Sequence, residues 1–470
     1  MNRLSQRNGS RAWLATLIIV MAVLLAPFAA SAQRAELDKI IQRKVLPNGL
    51  EVIVVENHGV PLATIEVDVK NGSFTQTPEY AGLAHMYEHM FFRANAKYPD
   101  PESFVGRAGD LGAVFNGTTA EERVNYYLTV SADSMEAGVK FLSAALIAPL
   151  FRQDELERER QVVIGEYDRN ESSPFFQLNR EMDKLLYPGN FSRKNIIGDR
   201  QVILTTTPEK MRTIQRRYYI PNNSVLIVSG DVNPAQVFAV AERELGKWQK
   251  GPDPFVADPI PAIPALAKSD GVVVEADVGA VTVFLQWQGP SVGKDPKSTY
   301  AADVFSDVLN DPGSNFQQRL VDSGLWQSVG VNYYTLNNIG PITISGQTSP
   351  QNLRKALAAL EAEITKFNDP GYFDGGELEA VKAHRAVTSA FDRERASGFA
   401  HTLGFWWSVA NLEYYMGYVD NMARQTTADL RAYASKYIVG KPRITGVLID
   451  PASRRQLGLT TAELSKTEVE

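Results

Sequence analysis

Two histidines and a glutamate stand close together in the sequence, in the pattern His85-x-x-Glu88-His89. The whole chain holds only five histidines, and composition alone would produce such a pattern roughly 0.006 times in a chain of this length. A helix is predicted at residues 80–92. Positions i and i+4 share one face of a helix, so both imidazoles can bind one ion with Glu88 close to the same face. The alternative is a pair of surface histidines on an amphipathic helix.

A third metal ligand is expected elsewhere, because catalytic zinc usually takes three protein ligands and leaves one position for water. The acidic run at residues 154–166 is the best candidate. Its Glu159 and Glu166 are separated by about two helical turns and therefore share a face. Glu155 and Glu157 in the same run are interpreted as a solvated helix face. The sequence has no cysteine, which excludes zinc–thiolate sites, disulfides and a cysteine nucleophile.

The elements that must position these residues occur twice. An alternating strand that begins at Thr64 has a counterpart that begins at Val281, and Tyr219 and Tyr437 each precede a further strand. The separation between the members of the first pair is almost the same as that between the members of the second. Two distant anchors with nearly one offset indicate a duplicated domain. Helices are predicted at residues 133–148 and 352–367, one in each half.

The fold class predicted is α+β, with two tandem homologous domains. Each domain is expected to be a mostly antiparallel sheet with helices packed on one face.

The domain limits follow from composition. Residues 1–32 have a basic start, an apolar stretch from Ala12 to Leu25 and an Ala-Ser-Ala site, the layout of a secretory signal peptide; the alternative, an uncleaved anchor, would need a longer stretch. A first domain is expected at 33–250 and a second at 269–470. Between them, 251–268 is read as an extended linker, since it holds five prolines,. Export to the periplasm is expected, with secretion as the alternative.

The overall composition excludes several classes of protein. Hydrophobic residues make up 44% and charged residues 22%, ordinary values for a globular protein and unlike those of a disordered or collagen-like chain. The net charge of −6 argues against nucleic acid as a partner. Outside the predicted signal peptide, no apolar stretch is long enough to span a bilayer. Neither a nucleic-acid partner nor a membrane association is therefore expected after signal cleavage.

The motif resembles that of a known family. His85-x-x-Glu88-His89, followed further along the chain by Glu166, is similar to the inverted-zincin peptidases of the pitrilysin, insulysin and mitochondrial processing peptidase family, here as a bacterial, exported, two-domain subunit. The resemblance covers nearly the whole chain after the signal peptide. One departure is Arg93-Ala94-Asn95, where the family has Gly-Thr. Further matching segments are Leu46–Leu50, Gly82–Ala84, Met90–Phe92, Gly112 with Asn116–Thr119, Ile197–Gly198, Tyr219–Asn223 and Val228–Asp231.

The resemblance implies a role for each residue of the motif. His85, His89 and Glu166 would hold one Zn²⁺ per chain. Glu88 would be the general base, and Glu159 would orient a histidine. The implied activity is that of a zinc-dependent endopeptidase or oligopeptidase.

Substrate binding is also implied by the resemblance. Members of the family bind extended peptides along a sheet edge, which here would lie at Phe115, Asn116 and Gly117. Taken alone, the dipeptide Asn116-Gly117 favours an ordinary turn. The resemblance favours the strand interpretation instead.

The second half lacks the motif and differs from the family in another respect. The family's second domain often supplies an arginine and a tyrosine to the substrate, and Leu320 and Gln327 occupy those positions. The family encloses peptides in a chamber of four domains, so a dimer is expected. The preferred arrangement is a heterodimer with a paralogous subunit that lacks the zinc motif but supplies Arg and Tyr, and the alternative is a homodimer. The alternative function is a non-catalytic peptide-binding or scaffold subunit of a larger complex.

Overall fold

The computed structural model describes residues 34–466. Over that range the chain forms two β-sheets with helices packed around them. The predicted signal peptide at residues 1–32 lies outside the described residues and stays a prediction. No helix between residues 34 and 466 is long and apolar enough to cross a membrane.

The first sheet has six strands in the order β1-β2-β6-β3-β5-β4, antiparallel except for the β2–β6 pair. The strands are β1 (Ile41–Val45), β2 (Glu51–Glu56), β3 (Leu62–Val69), β4 (Val114–Thr119), β5 (Val124–Ser131) and β6 (Ser224–Gly230). The helices of this half are α1 (34–40), α2 (Leu83–Phe91), α3 (Pro101–Asp110), α4 (Met135–Ile147), α5 (Gln153–Glu171), α6 (Pro174–Leu186), α7 (Arg200–Thr205), α8 (Pro208–Tyr218), α9 (Pro234–Leu245) and α10 (Pro254–Ala257). Because β4 is last in the strand order, it forms one edge of the first sheet.

The second sheet has five strands in the order β7-β11-β8-β10-β9, antiparallel except for the β7–β11 pair. The strands are β7 (Asp270–Glu275), β8 (Val281–Gln288), β9 (Ser328–Tyr333), β10 (Pro341–Thr348) and β11 (Ile444–Ile449). The helices are α11 (Pro296–Asn310), α12 (Asn315–Gln317), α13 (Leu353–Lys366), α14 (Gly375–Phe391), α15 (Ala396–Val409), α16 (Leu412–Met416), α17 (Tyr418–Ala423), α18 (Thr427–Tyr437), α19 (Pro451–Leu457) and α20 (Thr461–Leu464).

The two sheets repeat one topology. Apart from β1, the order β2-β6-β3-β5-β4 corresponds strand by strand to β7-β11-β8-β10-β9. Leu62 and Val281 begin the equivalent strands β3 and β8, and their separation is close to the offset that the sequence predicted. This confirms the α+β fold with two homologous domains. The predicted helices at 133–148 and 352–367 are observed as α4 and α13, whereas the exact domain limits stay predictions.

Each sheet is covered on one face by a helix from the other half of the chain. Helix α6 packs Leu178, Met182 and Leu186, which follow one another at intervals of four and so share one face, against β7 and β11,. Helix α15 lies across β3 and β6. At Gly404 of α15 a Cβ atom would stand 2.4 Å from both carboxylate oxygens of Asp68, so only glycine permits this approach. The exchange of helices interlocks the two domains.

Candidate metal centre

Helix α2 begins at a position that only glycine tolerates well. Gly82 has φ = 93°, and a Cβ there would stand 2.7 Å from a backbone carbonyl oxygen of a neighbouring loop,. Gln76 Oε1 accepts hydrogen bonds from the N–H groups of Gly82 (2.9 Å) and Ala84 (3.3 Å), donors that the first helical turn leaves free,. The core side of α2 is formed by Leu83, Met86, Tyr87 and Met90. The partly exposed His85 and His89 therefore face away from the core.

Helix α5 completes the set of donors that the sequence predicted. His85 Nε2 lies 3.3 Å from His89 Nε2 and 3.6 Å from Glu166 Oε2, and the distance from His89 Nε2 to Glu166 Oε2 is 3.7 Å. Between residues 34 and 466, this is the single group of three or more His, Asp or Glu side chains whose donor atoms converge closely enough for one metal ion. The histidine side chains are 15% exposed and that of Glu166 is 30% exposed.

These separations fit a tetrahedral ion. Zinc bonds of about 2.0–2.1 Å in tetrahedral geometry place neighbouring donors about 3.3 Å apart. Burial, together with the neighbouring His89, lowers the pKa of His85 to about 3, so its imidazole is neutral, as a metal ligand must be,. Burial opposes a charge on His89, but the hydrogen bond with Glu159 and the nearby carboxylates raise the pKa of His89. The surroundings therefore favour a positive charge at this point, which a bound cation would supply.

Glu88 lies beside the three donors without being one of them. Its Oε2 accepts a 2.9 Å hydrogen bond from the hydroxyl of Thr119, at the end of β4. Burial raises the pKa of Glu88, and the hydrogen bond from Thr119 partly offsets the effect. A carboxylate with a raised pKa next to a metal site can take up a proton and release it again. The motif predicts Glu88, but nothing in it indicates its partner Thr119.

The outer contacts of the two histidines differ. His89 Nδ1 lies 3.3 Å from Glu159 Oε2, and the other oxygen of Glu159 lies 2.7 Å from the Arg93 guanidinium. Burial alone would raise the pKa of Glu159, but the contacts with His89 and Arg93 lower it, so the carboxylate is ionised. His85 Nδ1 is buried and has no hydrogen-bond partner within residues 34–466. Arg93, noticed in the sequence only as a departure from the family, is thus part of the site.

The predicted peptide-binding residues lie on β4. Phe115, Asn116 and Gly117 pair with β5 on one side of the strand, so the turn that the dipeptide alone favoured is not formed. A Cβ at Gly117 would stand 3.1 Å from the side chain of Glu88, which shows how closely this strand approaches the metal centre. Because β4 is at the sheet edge, its outer backbone groups are available to an added strand.

The interpretation of Glu155 as a solvated residue is wrong. Glu155 is only 2% exposed, and its carboxylate accepts a hydrogen bond from the Ala94 N–H at 3.3 Å. Its position was readable from spacing, because Glu155, Glu159 and Glu166 follow one another at intervals of four and then seven and so share the buried side of α5. Glu157 is exposed, as predicted.

A cavity of about 820 Å³ adjoins the metal centre and extends to the second sheet. It is lined by residues of both halves of the chain, which the sequence analysis did not anticipate. Its lining residues include Glu88, Thr119, Glu121, Asp183 and Gln286.

The second domain has an ion pair at the equivalent place. Val281, the start of β8, is offset by a fixed number of positions from Leu62, the start of the equivalent strand β3. The same offset makes Asp307 of α11 equivalent to Glu88. It also makes Arg385 of α14 equivalent to Glu166. Arg385 donates to both carboxylate oxygens of Asp307 at 2.6–2.9 Å. The guanidinium of Arg385 thus lies between α11 and α14, where the sequence predicts no metal motif.

The positions at which the family often has arginine and tyrosine do not line the cavity. Leu320 is fully buried in the second core, and Gln327 is on the surface. The neighbouring Arg319 donates to Glu363 at 3.0 Å, and the Tyr333 hydroxyl donates to a backbone carbonyl at 3.0 Å. Arg319 and Tyr333 therefore do not replace the missing pair.

Comparison with known proteins identifies the family. Residues 51–188 match the family described as "Insulinase (Peptidase family M16)" and residues 205–384 match "Peptidase M16 inactive domain". The chain belongs to peptidase family M16. Among curated M16-like relatives, "Zinc protease PqqE" of Helicobacter pylori is 25% identical over 90% of this chain and 95% of its own length. The "Insulin-degrading enzyme homolog" of Dictyostelium discoideum is 28% identical over 70% of this chain, which spans only 35% of that longer protein.

Solved structures of M16-like peptidases share the fold. A protease from Helicobacter pylori has a TM-score of 0.79 at 22% identity and covers 87% of this chain and 99% of its own. The periplasmic protease PqqL from Escherichia coli has a TM-score of 0.74 at 17% identity, with 90% of this chain matched to 49% of PqqL. The M16 fold thus extends across both halves of the protein.

Proposed function

We propose that this M16 chain is a zinc-dependent peptidase that hydrolyses extended peptides. The proposal rests mainly on the three donor atoms of His85, His89 and Glu166, which converge at 3.3–3.7 Å beside the buried Glu88. A Zn²⁺ ion held by these three residues would supply Lewis-acid activation of a water molecule and of the scissile carbonyl. Two neutral imidazoles and one carboxylate leave such a site net positive, which favours this chemistry.

Glu88 is the proposed general base. Thr119 donates to its Oε2, which orients the carboxylate and leaves Oε1 to take a proton from the attacking water. The raised pKa of Glu88 suits a group that holds this proton and then delivers it to the leaving amine. Glu159 would fix the His89 ring through Nδ1, as carboxylates commonly do for metal-binding histidines.

The peptide would bind as an added strand along the outer edge of β4. Phe115, Asn116 and Gly117 would pair with it through their backbone groups, and such pairing carries little information about side chains. An extended peptide in the cavity beside β4 would present its backbone carbonyl to the metal centre. The expected substrates are therefore peptides rather than folded proteins.

We also propose how the protein assembles and where it is located. Leu320 and Gln327 stand where the family often has arginine and tyrosine, and neither residue lines the cavity. This supports a partner that supplies an arginine and a tyrosine. We propose a heterodimer with a paralogous subunit that encloses a chamber, with a homodimer as the competing arrangement. The name of PqqL as a periplasmic protease supports a periplasmic location.

A single experiment tests the activity. The full chain and its Glu88→Gln variant are purified, their zinc content is measured by mass spectrometry, and both are mixed with a quenched fluorescent peptide of middle length. We expect about one zinc per chain in both proteins, with turnover in the variant lower by two or more orders of magnitude. Turnover by Glu88→Gln at the parent rate would contradict the role of the general base.

The same samples separate the competing arrangements. Cleavage by the zinc-loaded chain alone, as a homodimer, would overturn the need for a heterodimeric partner. If the zinc-loaded chain cleaves no peptide alone but does so once the paralogous subunit is added, the heterodimer is supported. The scaffold function is the alternative, and the match to an "inactive domain" is compatible with it. It would be favoured if the protein bound peptides without stoichiometric zinc and cleaved none of them, even with the partner present.

A further inference from the structure

The turn between β4 and β5, residues 120–123, joins the strand proposed to bind the peptide to the second domain. It begins directly after Thr119, whose hydroxyl donates to Glu88 at 2.9 Å. Two side chains of the turn, those of Glu122 and Arg123, contact the second domain. Neither residue lines the cavity, and neither takes part in the proposed hydrolysis. The turn therefore connects the second domain with the strand that contacts the proposed general base.

The carboxylate of Glu122 binds the loop between β9 and β10, residues 334–340. Its Oε2 accepts a hydrogen bond from the Asn337 N–H at 2.6 Å, and its Oε1 accepts from the backbone N–H (2.7 Å) and the side-chain amide (2.9 Å) of Asn338. Glu122 is only 2% exposed. Burial raises its pKa, and these donors partly offset the effect. One buried carboxylate of the first domain thus fixes two successive residues of the second.

The loop that Glu122 binds has a conformation that its own sequence disfavours. Ile339 has φ = 65°, a left-handed conformation that is unusual for a β-branched residue. Its carbonyl accepts a hydrogen bond from the Lys194 ammonium at 2.8 Å. Such conformations persist only where the surrounding contacts fix them. Glu122 and Lys194, both from the first domain, therefore hold this loop of the second domain in place.

The other contact of the turn with the second domain is made by Arg123. Its guanidinium donates to the backbone carbonyl of His401 on α15 at 2.9 Å and lies 3.5 Å from Asp68 on β3. The first domain holds the turn only through its backbone, where the carbonyls of residues 120 and 121 accept hydrogen bonds from the N–H groups of residues 73 and 74 at 3.3 and 2.9 Å. The turn is thus held from both domains at once.

We propose that Glu122 is a positioning residue, through which the second domain holds β4 at its place beside Glu88. The inference rests on the proposed peptidase function and adds to it a role for the domain that has no metal motif. Strand β4 lies at the sheet edge, with β5 as its neighbour, so contacts at its end influence its position strongly. A displacement of about 1 Å at a reacting centre can lower a rate by about 100-fold. The zinc ligands lie on α2 and α5 and should be unaffected.

The first test compares two variants that each remove one carboxylate between the domains. Glu122→Ala removes the contact at the β4–β5 turn. Glu51→Ala removes a contact of β2 with the Trp407 indole at 2.8 Å, and β2 is separated from β4 by three strands of the same sheet. Zinc content, the free energy of unfolding in urea, and kcat and KM for a quenched peptide are measured for both.

We expect kcat to be lower by about tenfold to 100-fold in Glu122→Ala and to stay within about twofold of the parent value in Glu51→Ala. Zinc content should be unchanged in both variants. Glu122→Gln keeps one acceptor oxygen, so its kcat should lie between those of Glu122→Ala and the parent. A parent kcat in Glu122→Ala, or an equal loss in Glu51→Ala, would overturn the inference.

Crosslinking tests whether Glu122 acts through position rather than through stability. The chain has no cysteine, so thiols introduced by Glu122→Cys and Asn338→Cys can be joined selectively by a short bifunctional thiol reagent. We expect a low kcat in the double variant before crosslinking and recovery of most of the parent kcat afterwards, because the reagent restores the link between the turn and the second domain. The two single variants, treated in the same way, are the controls. A kcat that stays low after crosslinking would overturn the positioning role.

Hydrogen exchange separates this inference from the proposed hydrolysis, because it needs no substrate. Amide exchange of residues 114–123 is followed by mass spectrometry in the zinc-loaded parent, Glu122→Ala and Glu51→Ala proteins. Pairing with β5 protects amides of this segment, and we expect faster exchange in Glu122→Ala alone. That result would support the hold of the second domain on β4 even if the protein cleaved no peptide. Unchanged exchange in Glu122→Ala would overturn it even if the protein cleaved peptides efficiently.

Discussion

Replacing Glu159 by glutamine should weaken zinc binding while leaving the three ligands in place. Glu159 is the carboxylate in contact with His89 Nδ1, and no residue between 34 and 466 contacts His85 Nδ1 in the same way. The outer support of the centre is therefore concentrated in one side chain. Loss of such a partner typically lowers metal affinity by about 10- to 100-fold, which corresponds to about 1.4–2.7 kcal/mol. Glutamine keeps the size of Glu159 but not its charge.

Arg93→Met should have a smaller effect of the same sign. The Arg93 side chain is 34% exposed, so solvent screens its ion pair with Glu159, and such pairs contribute about 1 kcal/mol or less. We therefore expect a loss of zinc affinity of about fivefold at most. The control is Arg158→Met on the same helix α5 as Glu159, because Arg158 and its partner Asp154 are both more than half exposed. That change should leave the affinity unaltered.

Zinc affinity is measured by competition with a fluorescent chelator at fixed pH and ionic strength. Urea unfolding of the zinc-free proteins shows whether the fold is retained. The expected order of affinity is wild type and Arg158→Met, then Arg93→Met, then Glu159→Gln. Wild-type affinity in a folded Glu159→Gln protein would refute the orienting role of Glu159. A larger loss in Arg93→Met than in Glu159→Gln would refute the inferred order of contacts.

Two further predictions concern the second domain. Arg385→Met removes the cation paired with Asp307 and should lower the free energy of unfolding by about 1 kcal/mol in urea titrations, since the two side chains are 33% and 27% exposed and solvent screens the pair,. An unchanged midpoint would contradict this expectation. Burial raises the pKa of Asp303 to about 7, above its value in an unfolded chain, so the stability that its proton contributes in acid is lost as the pH rises from about 4 to 7. Asp303→Asn should therefore change the free energy of unfolding more favourably at pH 8 than at pH 5. Equal changes at both pH values would contradict the raised pKa of Asp303.

The candidate metal ligands could be predicted because their signal is local. His85, Glu88 and His89 lie within one helix, and the spacing of Glu159 and Glu166 places both on one side of a second helix. The repeat was visible because equivalent strands keep nearly one offset from one half of the chain to the other. Both signals depend on periodicity in short segments, which the folded chain preserves.

The remaining features depend on contacts between distant segments. Asn116-Gly117 has the composition of a turn, but pairing of β4 with β5 holds it in a strand. Nothing in the alternating segment at residues 64–69 indicates that α15 covers its polar side, although Asp68 lies against Gly404 and is fully buried. The cavity is likewise lined by separate elements, among them β4, α6 and β8. Local propensity carries no information about such tertiary contacts.

The duplicated scaffold offers a physical reason for a single candidate metal site per chain. In the first domain, α2 and α5 bring together His85, His89 and Glu166, whose converging atoms are all electron-pair donors and could hold a cation from solution. In the second domain, the residue equivalent to Glu166 is Arg385, and its guanidinium binds Asp307 at the point where α11 and α14 meet. Arginine stays protonated and offers no lone pair to a metal. A cation that is covalently part of the chain thus lies between the equivalent helices of the second domain, which is consistent with the proposal of a single zinc ion in the first.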